Sequence, residues 1–400
     1  MSTNNVLIVG GGPLGLLQAL GLAHAGLDVT VLEPGPEGQS APGALVLNWA
    51  MMSGLDALGV LDDMLAVGVV QEAVSLNVPS TGETLVFELS SLSDVVEHPF
   101  TLNMDQNQFV DIALRHLSAT PSVSILWDAR VVSLDQDQDG CTVVAAGPGG
   151  ENTYRAGWVV GVDGANSLVR RHLGLAFPGM TWPERFVAVR LRFDFSTLGV
   201  RQAATRVDPD SGALIAQIDR TGLWQYLYAE DLRLPEATID VRMPTVLADV
   251  LPGSIDPGVD TWTAQRMHQR VVDTFRVGRV ILAGAAAHVT APTSGFGVVG
   301  AFFDVLAATE VLAALARDGA DEIVLDRYAA DRRRVFTEIT SPISSETKMM
   351  IFNSSDPVRL EHEVARYRAA AASREGTRNF LMLACQLESP SLLEPIPSAG

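Results

Sequence analysis

A strand that runs directly into a glycine-rich turn and then a helix is the feature that most constrains how this chain can fold. Residues 6–9 are apolar, and Gly10, Gly12 and Gly15 follow in the spacing GxGxxG, ahead of apolar residues at helical spacing in 16–25. Glycine permits the tight turn, and its bare backbone lets a pyrophosphate approach the unpaired N–H groups at the start of the helix. The segment therefore predicts a βαβ unit that binds a dinucleotide.

The residues around this turn strengthen the prediction. Pro13 and Leu14 lie inside the turn, and we expect both to be cofactor-binding residues. A second predicted strand, residues 28–33, ends in Glu33, where a carboxylate can hydrogen-bond the hydroxyls of a ribose. The combination of strand, turn, helix and acid is more specific than the glycines alone.

Composition and charge argue against several other classes of protein. The chain has 400 residues, 47% of them hydrophobic, which is ample for a large core. A formal net charge of −19 argues against nucleic acid or an anionic membrane as a partner. Cys141 and Cys385 match no metal-ligand spacing, so we expect no metal site. Because Asp304 and Glu310 interrupt the longest apolar stretch, we expect no membrane span and a cytoplasmic protein.

The positive charges are unevenly distributed. No lysine or arginine precedes Arg115, whereas the same stretch carries thirteen acidic residues from Asp28 to Asp111. The predicted pyrophosphate site therefore receives no cation from its own segment. A cation has to come from a later residue, and Arg115, Arg130 and Arg170 are the candidates.

The predicted strands divide the chain into two interleaved parts. Residues 158–162 and 279–284 are almost wholly apolar, which is typical of buried strands in a parallel sheet. From 177 to 265, short strands alternate with proline and glycine turns, which predicts a separate sheet. A small antiparallel meander is predicted over residues 123–126, 130–135 and 141–146.

Two further motifs follow the buried strands. Asp163 and Gly164 come directly after the first of them, with Ser167 and Arg170 in the spacing DGxxSxxR. The second strand continues through Gly284 to the run AAAH, and the next glycines and proline along the chain are Pro292, Gly295 and Gly297. An Asp-Gly pair alone usually marks a turn, but its position after a buried strand makes it far more informative.

Together the three motif regions resemble the para-hydroxybenzoate hydroxylase group of FAD-dependent monooxygenases over roughly residues 5–345. The resemblance implies an α/β fold with a Rossmann-like GxGxxG FAD-binding domain, a mixed or antiparallel substrate-binding sheet domain and C-terminal helices. The FAD-binding domain would comprise residues 1–75, 100–176 and 266–345. The substrate domain would comprise 76–99 and 177–265, and residues 346–400 would form the helical segment and tail.

The resemblance also implies the cofactor contacts and the reaction. FAD would be reduced by NAD(P)H and would use O2 to hydroxylate an aromatic or polyketide-like small molecule. Pro292 would lie on the substrate side of the flavin ring, and the helix that begins near Val298 would face its pyrimidine edge. The implied cofactor-binding residues are Gly10, Gly12, Pro13, Leu14, Gly15, Glu33, Gln106, Asp163, Gly164, Gly284, Ala285, Pro292, Gly295 and Gly297.

Three positions depart from the pattern of the group. Ala285 replaces an aspartate that binds the ribityl chain, Val299 replaces an asparagine, and Gly43 replaces an arginine that touches the cofactor. Each lost hydrogen bond would cost on the order of 1 to 3 kcal/mol of binding free energy. A second hypothesis is therefore a flavin-independent enzyme on the same fold, which would cyclise, isomerise or hydrolyse a natural-product-like substrate.

Candidate substrate contacts lie in the predicted sheet domain. Arg190 and Arg192 share one face of a strand by period-two alternation and are able to hold a carboxylate or phenolate, although such a pair more often marks a solvated strand face. Tyr226 and Tyr228 also share a face. They would either line an aromatic pocket or pack within the sheet.

Overall fold

The computed structural model describes residues 4–38, 43–253, 256–353 and 355–394. Its strands in chain order are β1 (Asn5–Val9), β2 (Asp28–Leu32), β3 (Ala44–Leu47), β4 (Val69–Gln71), β5 (Ala73–Val78), β6 (Glu83–Glu88), β7 (Thr101–Asp105), β8 (Val123–Leu126), β9 (Arg130–Asp137), β10 (Gly140–Gly147), β11 (Gly150–Ala156), β12 (Trp158–Gly161), β13 (Gly179–Leu191), β14 (Ala203–Arg206), β15 (Ala213–Gln217), β16 (Trp224–Asp231), β17 (Val259–Val271), β18 (Arg276–Val277), β19 (Val280–Leu282) and β20 (His288–Val289).

The α-helices lie mainly in the first third of the chain and after residue 295. In chain order they are α1 (Pro13–His24), α2 (Met52–Ala57), α3 (Leu61–Val67), α4 (Gln106–Ser118), α5 (Leu168–His172), α6 (Ile239–Ala248), α7 (Phe296–Arg317), α8 (Ile323–Val335), α9 (Ser341–Phe352), α10 (Pro357–Ala371) and α11 (Arg374–Leu381). One π-helical turn, Phe336–Thr340, connects α8 to α9.

A six-stranded, mostly parallel sheet forms the centre of the first layer. Its order is β18-β19-β12-β1-β2-β8, and only the β18–β19 pair is antiparallel. β1 lies between β2 and β12 because its residues are almost wholly apolar and are buried on both faces. The carboxyl ends of β1, β12 and β19 therefore meet at one edge, and each of the three predicted motif regions begins there.

An eight-stranded sheet forms the second layer, in the order β20-β17-β13-β16-β15-β14-β5-β6. β13 is its long central strand and pairs antiparallel with both β16 and β17. One face of this sheet packs against α6, with Val187, Val189 and Tyr226 in a shared apolar cluster. The sheet begins at Ala73 and β17 extends to Val271, so it includes residues just outside the predicted bounds of 76–99 and 177–265.

One predicted element was wrong. Residues 123–126 form β8, which pairs in parallel with β2 at the edge of the six-stranded sheet and is not part of the antiparallel meander. The meander consists of β9, β10 and β11. Short apolar strands of both kinds share the same sequence pattern, so only tertiary pairing separates them.

The long apolar helix α7 packs in the core of the first layer. By length and composition alone it is able to cross a membrane, but 67% of its most apolar window is buried within the protein. Asp304 in this helix is fully buried. Its carboxylate accepts hydrogen bonds from the Gly284 amide at 2.9 Å, from His288 Nε2 at 2.8 Å and from Arg332 Nε at 2.7 Å.

The Arg332 guanidinium extends this network to the C-terminal part of the chain. It donates to the carbonyl oxygens of Leu387 and Gly300 at 2.8 and 3.0 Å. Burial raises the pKa of Asp304, but His288 and Arg332 outweigh burial and hold it below its usual value. Asp304 therefore joins the 284–288 turn, α7, α8 and the C-terminal segment through one ionised group.

Replacing Asp304 should destabilise the whole fold. In Asp304→Ala the Arg332 guanidinium stays buried without its carboxylate, which should lower the free energy of unfolding by about 3 to 5 kcal/mol. Denaturant unfolding followed by circular dichroism measures the change. Asp137→Ala, which breaks the exposed ion pair with Arg155, is the matched control and should have a far smaller effect. Equal losses in the two variants would contradict the central role of Asp304.

Candidate active site

The glycine turn between β1 and α1 is held by contacts that leave no room for side chains. A Cβ on Gly15 would lie 1.9 Å from the Gly10 carbonyl oxygen, and a Cβ on Gly10 would lie 2.6 Å from the Val162 carbonyl oxygen. By contrast, a Cβ on Gly12 would have no heavy atom within 4 Å. Gly12 is the N-cap of α1, which has no side-chain cap. The turn therefore presents bare backbone and the N-terminus of a helix to open space.

Glu33 is positioned beside this turn, as the sequence predicted. Its Oε2 accepts a hydrogen bond from the Gly11 amide at 2.6 Å, and its Oε1 accepts one from the Gly35 amide at 2.9 Å. A Cβ on Gly11 would lie 2.9 Å from the Glu33 Cβ. Gly11 was not predicted as a site residue, although its place between the motif glycines is a signal for such a role.

The Asp163 loop adjoins the same turn from the end of β12. Asp163 Oδ2 accepts hydrogen bonds from the amides of Leu168 and Val169 at 2.5 and 3.1 Å. Its Oδ1 is buried and has no hydrogen-bond partner within the described part of the chain. Gly164 has a φ of 77° and open space at its Cβ position. The loop thus carries a carboxylate oxygen that still lacks a donor.

Arg170 is the candidate cation that lies between two of the motif regions. Its Nη2 donates to the Ala165 carbonyl at 2.7 Å and its Nη1 donates to the Ala286 carbonyl at 2.8 Å. Its guanidinium also lies over the Phe177 ring, 3.9 Å from the centroid. Arg115 instead points to Asp63 and is 61% exposed, and Arg130 is exposed at the start of β9.

The third motif region closes over the first. Gly284 has a φ of 57°, and a Cβ there would lie 2.8 Å from Leu14 Cδ1.

Pro292 is exposed although its neighbours Ala291 and Thr293 are buried. Gly295, with a φ of 74°, is the N-cap of α7, so this helix begins two residues before the expected Val298. The N-terminus of α7 therefore lies next to a proline that faces away from the core.

The region around Gly297 and Ala285 completes this edge. A Cβ on Gly297 would lie 3.0 Å from Thr290 Cγ2, so the backbone approaches its neighbour closely. Ala285 is half-buried in a short 3-10 turn. Val299 is buried in the main core cluster. An apolar residue at 299 thus supports packing of α7 rather than presenting a polar group.

Gly43 and Gln106 share one small space. The backbone amide of Gln106 donates to the Gly43 carbonyl at 2.9 Å. A Cβ on Gly43 would lie 2.8 Å from the side-chain oxygen Oε1 of Gln106. Arg190 reaches the same place from β13, where its Nη2 donates to the Gly43 carbonyl at 2.7 Å. Its Nη1 lies 2.7 Å from Asp105 Oδ2, and Asp105 also caps α4 through the Asn107 amide. The sequence analysis missed Asp105 because an isolated acid before a helix signals only a cap.

The other candidate substrate contacts lie apart from Arg190. Tyr226 and Tyr228 are buried on the face of the sheet that packs on α6, which favours sheet packing over a pocket lining. Burial raises the pKa of Tyr226 and raises that of Tyr228 to about 12. Arg192 is exposed past the end of β13, at a cavity of about 640 Å³ that Arg201 and Arg220 also line. A substrate contact by these residues stays a prediction.

These features fit FAD. The three motif regions meet within van der Waals distance, as the Gly10–Val162 and Gly284–Leu14 contacts show. The open space at Gly12 suits a pyrophosphate beside a helix N-terminus. The unpaired Asp163 Oδ1 suits a hydroxyl or amide donor of the cofactor.

Comparison with known proteins identifies the class. A family described by its FAD binding domain matches residues 3–342. The chain therefore belongs to this FAD-binding family. Because its relatives are named monooxygenases, it is a flavoprotein monooxygenase that uses FAD, NAD(P)H and O2 on a small-molecule substrate. The flavin-independent alternative is not favoured.

Individual relatives make the likeness specific. The chain is 42% identical over 349 residues to 6-hydroxy-3-succinoylpyridine 3-monooxygenase of Pseudomonas putida, covering 87% of this chain and 89% of the relative. It is 38% identical over 383 residues to para-nitrophenol 4-monooxygenase of a Pseudomonas species, covering 95% and 94%. The crystal structure of p-nitrophenol 4-monooxygenase from Pseudomonas putida superposes with a TM-score of 0.92 at 37% identity, covering 97% of this chain and 99% of that chain.

Gly12→Ala should separate cofactor binding from folding. Because a Cβ at Gly12 meets no protein atom within 4 Å, the denaturation midpoint should stay unchanged. If the pyrophosphate occupies this space, the methyl group should weaken FAD binding about tenfold or more, as measured by titration of the apoprotein. Gly149→Ala, whose Cβ also meets nothing within 4 Å, is the control and should alter neither property. Unchanged FAD affinity in Gly12→Ala would place the cofactor elsewhere.

Proposed function

We propose that the protein binds FAD across the edge where β1, β12 and β19 end and hydroxylates a small phenol or hydroxypyridine beside Pro292. The observation that carries the proposal is the convergence of the three motif regions at one edge of the six-stranded sheet, where Asp163 has an unpaired carboxylate oxygen. The cofactor-binding residues in this proposal are Gly10, Gly12, Pro13, Leu14, Gly15, Glu33, Gln106, Asp163, Gly164, Gly284, Ala285, Pro292, Gly295 and Gly297.

The residues of the glycine turn hold the ADP half of the cofactor. The backbone of Gly12 and the first turn of α1 receive the pyrophosphate, with no cation from the first 114 residues of the chain. Glu33 accepts hydrogen bonds from the ribose while it keeps its bonds to the turn. Arg170 supplies positive charge from between the 163–165 loop and the 284–287 turn. This compensates in part for the acidic surroundings.

Pro292 and the first turn of α7 would hold the reactive ring of the cofactor. When bound, FAD supplies the oxidative chemistry that inserts one atom of O2 into the substrate ring at the expense of NAD(P)H. The N-terminus of a 22-residue helix stabilises negative charge placed beside it. A Cβ on Gly295 would meet no atom within 4 Å, so the backbone at the start of α7 is open to a flat ring. The protein's own contribution is to hold the two rings in contact and to exclude water.

The substrate proposal rests on the relatives and on the sheet. Two of the most similar proteins are named for hydroxylation of a hydroxypyridine and of a nitrophenol, each with one ring. The face of β13 that carries Phe186 and Arg190 contacts Ala291 and Gly43 of the cofactor layer, so we place the substrate ring beside this face. We also propose that the enzyme works in the cytoplasm, where NAD(P)H is available.

The proposal is tested with the purified protein. It should be yellow, with the absorption bands of bound flavin, and should oxidise NAD(P)H and consume O2 when para-nitrophenol or a hydroxypyridine is added. Mass spectrometry should find one oxygen atom added to the ring, or the nitro group replaced. A colourless protein that takes up no added FAD, or oxidation of NAD(P)H without any oxygenated product, would contradict the proposal.

Ala285→Asp should tighten FAD binding. The substitution restores a carboxylate at a half-buried position that, by family resemblance, lies against the ribityl chain, and one such hydrogen bond should raise the affinity on the order of tenfold. Fluorescence titration of the apoprotein with FAD measures the effect. Ala248→Asp, an exposed position on α6 at the opposite face of the sheet, should leave the affinity unchanged. Weaker binding in Ala285→Asp would mean that the ribityl chain runs elsewhere.

A further inference from the structure

One face of the eight-stranded sheet is directed toward the cofactor layer. Phe186 of β13 packs in a cluster with Ala291, and Gln269 of β17 accepts a hydrogen bond from Thr290 at 2.7 Å. Arg190 of β13 reaches Gly43. Because side chains alternate along a strand, Glu184, Phe186, Ala188 and Arg190 all point to this side. We call it the cavity face.

The middle of the cavity face is neutral. Ala188 pairs with Leu227 of β16 and with Thr263 of β17, and all three are half-buried. Gln225, opposite Arg190, is also half-buried. These positions offer apolar surface together with hydroxyl and amide groups. A flat ring with neutral hydrogen-bonding substituents fits such a surface.

Each end of the cavity face carries a cation that is already neutralised. At one end Arg190, with a side chain 10% exposed, is paired with Asp105 at 2.7 Å. At the other end Lys348, the single lysine of the sequence, is 1% exposed and is paired with Glu184 at 2.6 Å. Lys348 also lies 4.4 Å from the centroid of the Trp182 ring. Along β13, β16 and β17, the described residues of the cavity face therefore offer no unpaired positive charge.

An ionised carboxylate on the substrate ring would need such a charge. Burying an anion without a cation or several hydrogen-bond donors is strongly unfavourable. The Arg190 guanidinium is already paired with Asp105, so it cannot neutralise a ligand carboxylate to the same extent. A neutral substituent of the same shape carries no such penalty. The pairing of Arg190 with Asp105 therefore disfavours substrate rings that carry an ionised carboxylate and admits rings with neutral substituents.

We propose that Asp105 is a specificity-determining residue: by neutralising Arg190 it selects phenols and hydroxypyridines without an ionised carboxylate on the ring. This inference rests on the proposed function, because it assumes that the substrate ring lies on the cavity face. Asp105 acts through Arg190, so it is a positioning residue and takes no part in the oxygen transfer itself.

The test compares ligands that differ in charge and hardly in shape. One series pairs 4-hydroxybenzamide with 4-hydroxybenzoate, and a second pairs 6-hydroxynicotinamide with 6-hydroxynicotinate. Dissociation constants are measured with the FAD-loaded enzyme by calorimetry and by the change in the flavin spectrum. The wild-type enzyme should bind each amide more tightly than its acid.

Asp105→Asn should shift this preference toward the acid. Asparagine is also a good N-cap residue, so the first turn of α4 keeps its hydrogen bond while Arg190 loses its countercharge. The ratio of the acid to the amide dissociation constant should fall on the order of tenfold to a hundredfold. Asp137→Asn removes the partner of Arg155 in the β9–β11 sheet and should leave the ratio at its wild-type value.

A double variant distinguishes an effect of charge on ligand binding from an effect of misfolding. Asp105→Asn combined with Arg190→Gln replaces the ion pair by two neutral groups, and it should return the ratio toward the wild-type value. A wild-type enzyme that prefers the acids, or an unchanged ratio in a folded Asp105→Asn enzyme, would overturn the assignment of Asp105 while leaving the proposed function in place. An FAD-loaded enzyme that binds no member of either series would overturn both.

Discussion

The buried carboxylate of Asp304 is the contact on which the geometry of the cofactor edge depends. It binds the amide of Gly284, the imidazole of His288 and the guanidinium of Arg332 within the core of the first layer. Gly284 in turn packs against Leu14 of the glycine turn. The position of the third motif region over the first therefore depends on an ionised group that never contacts solvent. Since Arg332 also binds the Leu387 carbonyl, the C-terminal segment is held by the same centre.

A second ion pair, between Arg190 and Asp105, joins the two layers. Arg190 belongs to the eight-stranded sheet, whereas Asp105 is the last residue of β7 in the small β3-β7-β4 sheet and Gly43 directly precedes β3. The contact brings a cation to a part of the chain that has none of its own before Arg115. It also bears on Gly43, which stands where the family has an arginine. A Cβ at position 43 would lie 2.8 Å from Gln106 Oε1, and the Arg190 guanidinium places a positive charge beside the Gly43 carbonyl.

The sequence predicted the parts of the fold that rest on local geometry. The turn at Gly10 to Gly15 and the position of Glu33 follow from backbone constraints within a few residues, and both lie where they were expected. Pairings between distant residues were not predictable in this way. Residues 123–126 joined the parallel sheet because β2 had a free edge, which no local pattern reveals.

In the candidate site, too, local features were predictable from the sequence and contacts between distant residues were not. Alternation placed Tyr226 and Tyr228 on one face, but which face met the cofactor layer depended on where α6 packs. Arg190 was a candidate as a ligand for an anion, yet its partner Asp105 lies 85 positions earlier in the chain and in another sheet. Asp304 stood out only as an acid that interrupts an apolar stretch. Its three partners became evident once the 284–288 turn was folded against α7.

The three departures from the family pattern differ in their structural consequences. Val299 is part of the core beneath α7, and at Gly43 the guanidinium of Arg190 binds the backbone carbonyl from another strand. At these two positions the chain has exchanged a polar contact for packing or for a contact supplied by another element. Ala285 offers only a methyl group at this position. Its neighbour Gly284 is held through its backbone amide, which donates to Asp304. The weakest point of the cofactor edge is therefore one half-buried position, while the backbone that shapes the edge is held by Asp304 and remains complete.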